Sequence, residues 1–577
     1  MKKKLLPALI VTGLIILVVI IMGITALINK YTPTKKTEDL KEYFNISSDD
    51  EAALIVDNEL SDYKAKIIDK KIYVDYKFVH DSLNSRFYWD ANENVLLYTT
   101  ASDIISAAAD SNSYSVTKQT NDFGYPIVKA TSDSALIALD YVKQYSNITF
   151  KSYDDPARIV ITSKWDEIDS ATVSKSTQVR VKGGIKSPIL KEVKKDDKIT
   201  ILDSGDKWDK IATEDGVIGY IKGKALSESK KTKLTNPDYE EETFTHIKKD
   251  KDICLAWNQV TSQSANSKVP QVISSTKGIN VMSPTWFHLN DNNGNLADIA
   301  SKDYVSYCHS QGIEVWGLFS NFENTDVDAA YVLTHTSTRT TLINQIMSAA
   351  FNYELDGVNI DFENITEAAY GDSYIEFIRE LAIKCHNNGI SLSVDVTVPA
   401  SFNKFFNRSD MANFADYIVI MGYDEHYKGS DAGSVSSIPW VTEGVESTLK
   451  EVPADQIILG MPFYTRIWEL TPKEDDDAVT DTEDQSKYTV ASQVYSMDAA
   501  AAQLATNNAT AALDEESGQN YAEWSVSNKL YKVWLEDSTS LEKRLKLVDD
   551  NKLAGAAFWK LGFENSSVWD TVIKYLD

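Results

Sequence analysis

Between residues 355 and 364 the chain reads LDGVNIDFEN, and from Val358 to Glu363 apolar and polar residues alternate without a break. A period of two is the signature of a strand, with Val358, Ile360 and Phe362 on one face and Asn359, Asp361 and Glu363 on the other. Seven further strand-like runs share residues 245–577 with it: DICLAWNQV, GINVMSPTWFHL, IEVWGLFSNF, ISLSVDVTVP, DYIVIMGYDE, QIILGMPFY and AGAAFWKLG. Amphipathic stretches such as SYIEFIRELAIKCHNN and SLEKRLKLVDDN separate them. Strands alternating with helices predict a parallel α/β fold, and eight of them predict a closed (β/α)8 TIM barrel. In such a barrel one strand face packs on helices and the other points inward. The polar face of 359–363 is therefore denied free water, and its carboxylates are either costly or useful.

One connection breaks the pattern. Between MPFYTRIW and AGAAFWKLG the gap is far longer than a βα loop, and it contains ALDEESGQNYAEWSVSNKLYKVWLED, which reads as a hairpin. An insertion after strand seven, about residues 468–538, is expected to wall one side of the cleft. Ahead of the barrel, residues 40–165 repeat weakly. KIYVDYKFVHDSLNSRFYWDANENVLLYTT and GYPIVKATSDSALIALDYVKQYSNITFKSYDDPARIVIT each read strand, short helix and hairpin, with Asp90-Ala91-Asn92 and Asp154-Asp155-Pro156 at the turns. Residues 171–228 change to short strands and turns, the texture of a small β-barrel module. The expected order is thus an N-terminal transmembrane helix, a duplicated α+β module, a small β-barrel module and a TIM barrel at 245–577.

The transmembrane helix follows from the first 30 residues. MKKK precedes an uncharged apolar run from Leu5 to Ile28, long enough to span a bilayer. The lysines place the N-terminus in the cytoplasm. A cleaved signal peptide is the alternative, but the run exceeds an ordinary h-region and no A-x-A site closes it. The expectation is a single-pass cell-membrane protein whose residues after Lys30 lie on the extracellular side. A formal net charge of -27 argues against a nucleic-acid partner. Cys254, Cys308 and Cys385 show neither disulfide nor zinc spacing and read as buried small hydrophobes. His426 beside Asp424 and Glu425 makes no metal cluster, because neighbours on an extended segment diverge. No metal and no cofactor are expected.

Candidate chemistry gathers at the strand ends. Strand four ends in Asp361 and Glu363, strand six in Met421, Gly422, Tyr423 and Asp424, strand seven in Met461 and Tyr464, and strand eight carries Trp559. Carboxylates with aromatic rings at one mouth describe a sugar site, since carboxylates act on the acetal and ring faces stack on pyranose faces. Trp534 and Glu536 in VWLED are further candidates to border the cleft. Asp356 lies on the opposite parity to Asp361 and reads as structural.

DGVNIDFE is similar to the DGxDxDxE motif of glycoside hydrolase family 18, MGYDEH to its sixth-strand MxYD element, and FWKLG to its eighth-strand tryptophan. NIDFEN, YDEH, GMPFY and WLED resemble the branch of cell-wall and spore-cortex N-acetylglucosaminidases. The resemblance implies that Glu363 is the general acid and that Asp361 orients the substrate's 2-acetamido group. That group, rather than an enzyme side chain, attacks the anomeric carbon. It further implies that Tyr423 donates to the acetamido oxygen, Asp424 holds the sugar and Trp559 floors the subsite, with Asn359, Met421 and Tyr464 also on the substrate side. Asn359 departs from the motif, which usually has Asp there; an amide cannot share a proton, so the coupling around Asp361 is altered. The implied substrate is an N-acetylglucosamine-containing glycan, peptidoglycan first. A chitinase or chito-oligosaccharide hydrolase and a non-catalytic carbohydrate-binding surface protein are the alternatives.

The upstream segments carry resemblances of their own. The repeat at 40–165 resembles the copper-amine-oxidase N-terminal-like domain, without implying copper, since His80 is its single histidine. The STQVRVKGG, GDKWDKIAT and GYIKGKAL segments within 171–228 resemble a bacterial Src-homology-3-like barrel, with Trp208 and Tyr220 as groove or core residues.

Overall fold

Eight parallel strands close on themselves in the C-terminal part of the chain: β1 Ile253–Asn258, β2 Val281–Leu289, β3 Glu314–Ser320, β4 Gly357–Asp361, β5 Ser391–Thr397, β6 Tyr417–Met421, β7 Ile457–Pro462 and β8 Gly555–Trp559. Each pairs with its neighbour, and β1 pairs with both β2 and β8, so no strand edge is left open. The structure, a computed structural model, describes residues 5–363, 365, 370–473 and 485–576. The lysines of MKKK and residues 474–484 of the insertion lie outside the described residues.

The alternation seen in the sequence separates two cores. Val358, Ile360 and Phe362 face outward and pack with helix residues such as Leu342, Ile346, Phe377 and Leu381. Leu255, Trp257, Val281, Trp316, Leu318, Tyr417, Val419, Ile458 and Ala557 fill the barrel interior. The interior is a packed core and not a pore, as large side chains at this strand number require. The three cysteines are free and buried, and burial pushes the thiols of Cys254 and Cys308 up to about 12.

After β7 the chain builds a five-stranded antiparallel sheet from Tyr464–Pro472, Tyr488–Ser496, Ala512–Asp514, Gln519–Val526 and Lys529–Leu535. The hairpin read from QNYAEWSVSNKLYKVWL is its last strand pair, closing at Val526 opposite Lys529. A buried polar cluster ties this sheet to the following helix, Ser538–Asn551. Arg544 pairs with Glu536 and donates to the Ser436 carbonyl at 2.6 Å, while Ser540 and Gln519 donate to the Glu536 carboxylate at 2.7 and 2.8 Å.

The chain divides into two compact units, one formed by 1–89, 107–114 and 120–241, the other by 90–106, 115–119 and 242–577. Residues 90–106, read from the repeat as part of the duplicated module, thus belong with the barrel. Asp90 accepts from the Thr336 backbone N–H at 2.7 Å and its hydroxyl at 2.6 Å, capping the helix Thr336–Tyr353, whose own N-cap side chain makes no such bond. Thr99 donates to Glu376 at 2.8 Å. Internal repetition shows where copies begin, not which copy's hairpin is recruited elsewhere.

The first unit contains a helix at Leu5–Tyr31, of which Pro7–Tyr31 is long and apolar enough to cross a membrane. It also contains two seven-stranded sheets. In one of them both predicted strand–helix units are present, Lys71–Asp75 with Tyr76–Ser82 and Ala135–Ala138 with Leu139–Gln144. The other is built from strands between Glu167 and Lys233, all paired antiparallel.

Replacing Arg544 by Met leaves Glu536 buried without its cation, a change that costs about 3–5 kcal/mol in comparable buried pairs. Arg544→Met is therefore expected to lower the melting temperature by several degrees, whereas Lys546→Met, which breaks an exposed pair with Asp550, is expected to shift it by less than a degree. Differential scanning calorimetry of both variants measures the contrast.

Candidate active site

The stretch LDGVNIDFEN owes its composition to the barrel's interior. Asp356 accepts from the Val315 backbone N–H at 2.8 Å and meets the His309 ring at 2.8 Å, fixing the start of β4 against β3. At Gly357 a Cβ would lie 2.5 Å from the Trp316 ring, so only glycine lets that indole fill the interior. The register then sets Asn359 opposite Leu318 and Ser393, and Asp361 opposite Ser320.

Asn359 is 0% exposed, and its amide is fully used. Trp257 and Ser283 donate to its oxygen, each at 2.9 Å, and its nitrogen donates to Ser393 at 3.0 Å and to Asp395 at 2.7 Å. Expected on the substrate side, it lies under the floor of the cleft and does not line it. The polar parity that put it with Asp361 and Glu363 is right, but depth along the strand separates them.

Above this amide opens a cavity of about 570 Å³, lined by carboxylates from four strand ends and by aromatic walls. Asp361, Glu363, Met421, Tyr423, Asp424 and Trp559 all line it, so six of the eight residues that the family resemblance implied meet in one place. Burial, then Asp395, Glu363 and Glu323, hold the Asp361 carboxyl well above the carboxylate range. Its Oδ1 is buried without a hydrogen-bond partner. Burial, then Asp424 and Glu323, raise the Glu363 carboxyl too, although its side chain reaches into the open cleft. A raised carboxyl keeps its proton to higher pH, which suits it to proton donation.

At the end of β6 the chain turns sharply, with Asp424 in the left-handed region at φ 61°. Tyr464 donates to the Asp424 carboxylate and Arg466 lies 3.7 Å from it, so two side chains from the inserted sheet's first strand hold this residue. Tyr464 thus reaches the cleft through Asp424. Burial, then Asp361 and Asp395, hold the Tyr423 hydroxyl well above the usual phenol range, which keeps it a donor. Trp257 stands edge-on to both Tyr423 and Trp559, with centroids 6.4 and 6.0 Å apart. Met461, by contrast, is buried in the outer core. Glu536 belongs to the buried Arg544 pair, and Trp534 packs on Tyr521 with centroids 4.8 Å apart.

Several lining residues escaped the sequence reading: Trp257 from β1, Glu323 after β3, Asp395 from β5, and the rim aromatics Phe402, Tyr427 and Trp440. Asp395 carried a signal. In SLSVDVT the polar residues Ser391, Ser393, Asp395 and Thr397 share one parity, as Asn359, Asp361 and Glu363 do in β4. Phe402, 78% exposed, sits in a short 3-10 helix, Ser401–Phe406, that no periodicity announces.

Residues 323–564 match the family model described as glycosyl hydrolases family 18, so the chain carries a glycoside hydrolase domain of that family. An uncharacterized glycosylase of Bacillus subtilis (strain 168) is 24% identical over 49% of this chain and 81% of that protein. The cortical fragment-lytic enzyme of the same organism is 24% identical over 48% of this chain and 63% of its own length, so the chain covers less than two thirds of it. Among solved structures, the C-terminal domain of a putative chitinase from Desulfitobacterium hafniense DCB-2 superposes with a TM-score of 0.50 at 19% identity, covering 57% of this chain and all, 100%, of that one. The Bacillus cereus spore cortex-lytic enzyme gives 0.50 at 18% identity, over 60% of this chain and 79% of that one. These structural likenesses bear on the fold, and they agree with the barrel.

Replacing Asn359 by Leu removes four buried hydrogen bonds at once and strands the Trp257 indole N–H. At about 1–3 kcal/mol for each buried group left unsatisfied, Asn359→Leu is expected to destabilise the barrel by several kcal/mol. Urea unfolding followed by tryptophan fluorescence gives the measurement.

Proposed function

We propose that the barrel is an N-acetylglucosaminidase that cleaves β-1,4 bonds after N-acetylglucosamine in peptidoglycan by substrate-assisted retaining catalysis. The observation that carries this reading is the meeting of Asp361, Glu363 and Tyr423 in one aromatic-walled cavity of a family 18 domain. In the proposed reaction Glu363 protonates the glycosidic oxygen while the acetamido carbonyl attacks the anomeric carbon. Asp361 faces the acetamido N–H and the developing positive charge, and Tyr423 donates to the acetamido oxygen. Glu363 then takes the proton from the incoming water. Trp559 floors the subsite and stacks on the apolar sugar face, with the buried Trp257 ring edge-on behind it.

Two considerations favour wall glycan. NIDFEN and YDEH resemble the wall and cortex branch, and a relative is a cortical fragment-lytic enzyme. Chitin is the second reading, favoured by the fold likeness to a putative chitinase. A purely binding role is disfavoured by Glu363, which a lectin-like barrel has no need to keep. The apolar helix at Leu5–Tyr31 fits a membrane anchor with the remainder exported. The duplicated segment and the small sheet module upstream fit copper-amine-oxidase N-terminal-like and Src-homology-3-like spacers carrying the barrel into the wall.

Glu363→Gln is expected to leave folding intact and to cut turnover of an unactivated glycan by about a hundredfold or more, the scale of a lost general acid. The acetamido group should be indispensable: an N-acetylglucosaminide turns over, the matching glucoside does not, and a thiazoline mimic of the cyclised ion inhibits. Mass spectrometry of products from purified peptidoglycan and chitin oligosaccharides checks both the bond and the polymer. Equal rates on acetamido and hydroxyl sugars would refute the mechanism.

For the anchor, protease treatment of intact cells stripped of wall should release a soluble fragment containing the barrel. A secreted chain starting near residue 30 is the result that contradicts it.

A further inference from the structure

Asp395 is a buried carboxylate to which the proposed reaction gives no part. It projects from β5 into the same cavity as Asp361, is 3% exposed, and accepts one hydrogen bond, from the Asn359 amide at 2.7 Å. The orientation of that amide is not free. Trp257 and Ser283 both donate to the Asn359 oxygen, so its nitrogen must point towards Ser393 and Asp395. The amide therefore serves as a fixed donor that seats Asp395 beside β4.

The charged and titratable groups facing the two aspartates are Glu323 after β3, Glu363 after β4, Tyr374 from the helix Gly371–His386 and Tyr423 after β6. All are acids. Among the described residues no lysine or arginine forms an ion pair with Asp361 or Asp395. Two carboxylates enclosed together without a cation cannot both carry charge at modest cost, so one proton between them is the stable arrangement. Asp361 Oδ1, buried and without a partner, is the acceptor such a proton lacks.

We propose that Asp395 is a positioning residue that shares a single proton with Asp361, so that β5 supplies the second carboxyl that Asn359 cannot provide on β4. In the resting site the pair holds one proton. When positive charge develops on the sugar the proton rests on Asp395 and Asp361 is the carboxylate. No proton leaves the site, and Glu363 remains free to donate its own. The kinetic part of this inference rests on the glycosidase reading above; the pairing itself does not.

The test has two arms on the full chain. In the first, melting temperatures of wild type and Asp395→Asn are followed from about pH 4 to about pH 8. Both aspartates are raised in the fold above their unfolded values, so the wild type is penalised increasingly as pH climbs past the ordinary carboxylate range. Removing one of them removes much of that penalty. The melting difference, variant minus wild type, is expected to rise with pH; a difference independent of pH overturns the pairing. In the second arm, Asp395→Asn is expected to lower kcat about tenfold and to move the acid limb of the rate profile down by about one pH unit, because Asp361 then ionises more easily. The reciprocal change, Asn359→Asp with Asp395→Asn, returns a carboxyl beside Asp361 and is expected to recover part of kcat. A single variant with wild-type kcat and an unmoved profile overturns the role. Should wild type hydrolyse no N-acetylglucosaminide, the glycosidase reading fails and the melting arm still decides the pairing.

Discussion

A single buried amide holds the floor of the cleft together. Asn359 of β4 joins the Trp257 indole of β1, the Ser283 hydroxyl of β2 and both Ser393 and Asp395 of β5, with every one of its hydrogen-bonding groups engaged. A buried network of this kind has one satisfied arrangement, and slipping any of the four strands by a residue would leave several polar atoms unpaired. Barrel closure and site geometry are thus the same constraint, imposed at one layer of the interior.

Above that layer the electrostatics run in one direction. Asp361, Glu363 and Asp395 share a small volume with Glu323 and Asp424, and among the described residues Arg466, beside Asp424, is the one cation paired with any of the five. Mutual repulsion and burial therefore favour protonated carboxyls where an ordinary surface cluster would be ionised. That condition is unfavourable for the resting fold, and it is suited to the acid chemistry proposed for this site.

The inserted sheet shapes the cleft from outside the barrel. Tyr464 and Arg466, on its first strand, hold Asp424 in a left-handed turn that a non-glycine residue adopts rarely. The buried Arg544–Glu536 pair in turn fastens the sheet's last strand to the helix before β8. The site is supported on both sides of the insertion without being formed by it.

Local pattern was enough for the eight strands, the hairpin in the insertion, the apolar N-terminal helix and the gathering of Asp361, Glu363, Tyr423, Asp424 and Trp559 at one mouth. Period-two alternation and strand order report these directly, because side chains on one strand must follow the pleat. Three things waited for the tertiary structure. Asn359 lies one layer too deep to touch substrate, since parity gives the face of a strand but not the depth within the barrel. Asp395 comes to Asp361 from a strand more than thirty residues away, an adjacency created only when β4 and β5 pair. Residues 90–106 leave the repeat that their sequence resembles and cap a barrel helix, because Asp90 meets the unpaired N–H groups of Thr336–Tyr353 only in the folded chain. Periodicity is a property of one segment; depth, cross-strand neighbours and shared caps are properties of several segments packed together.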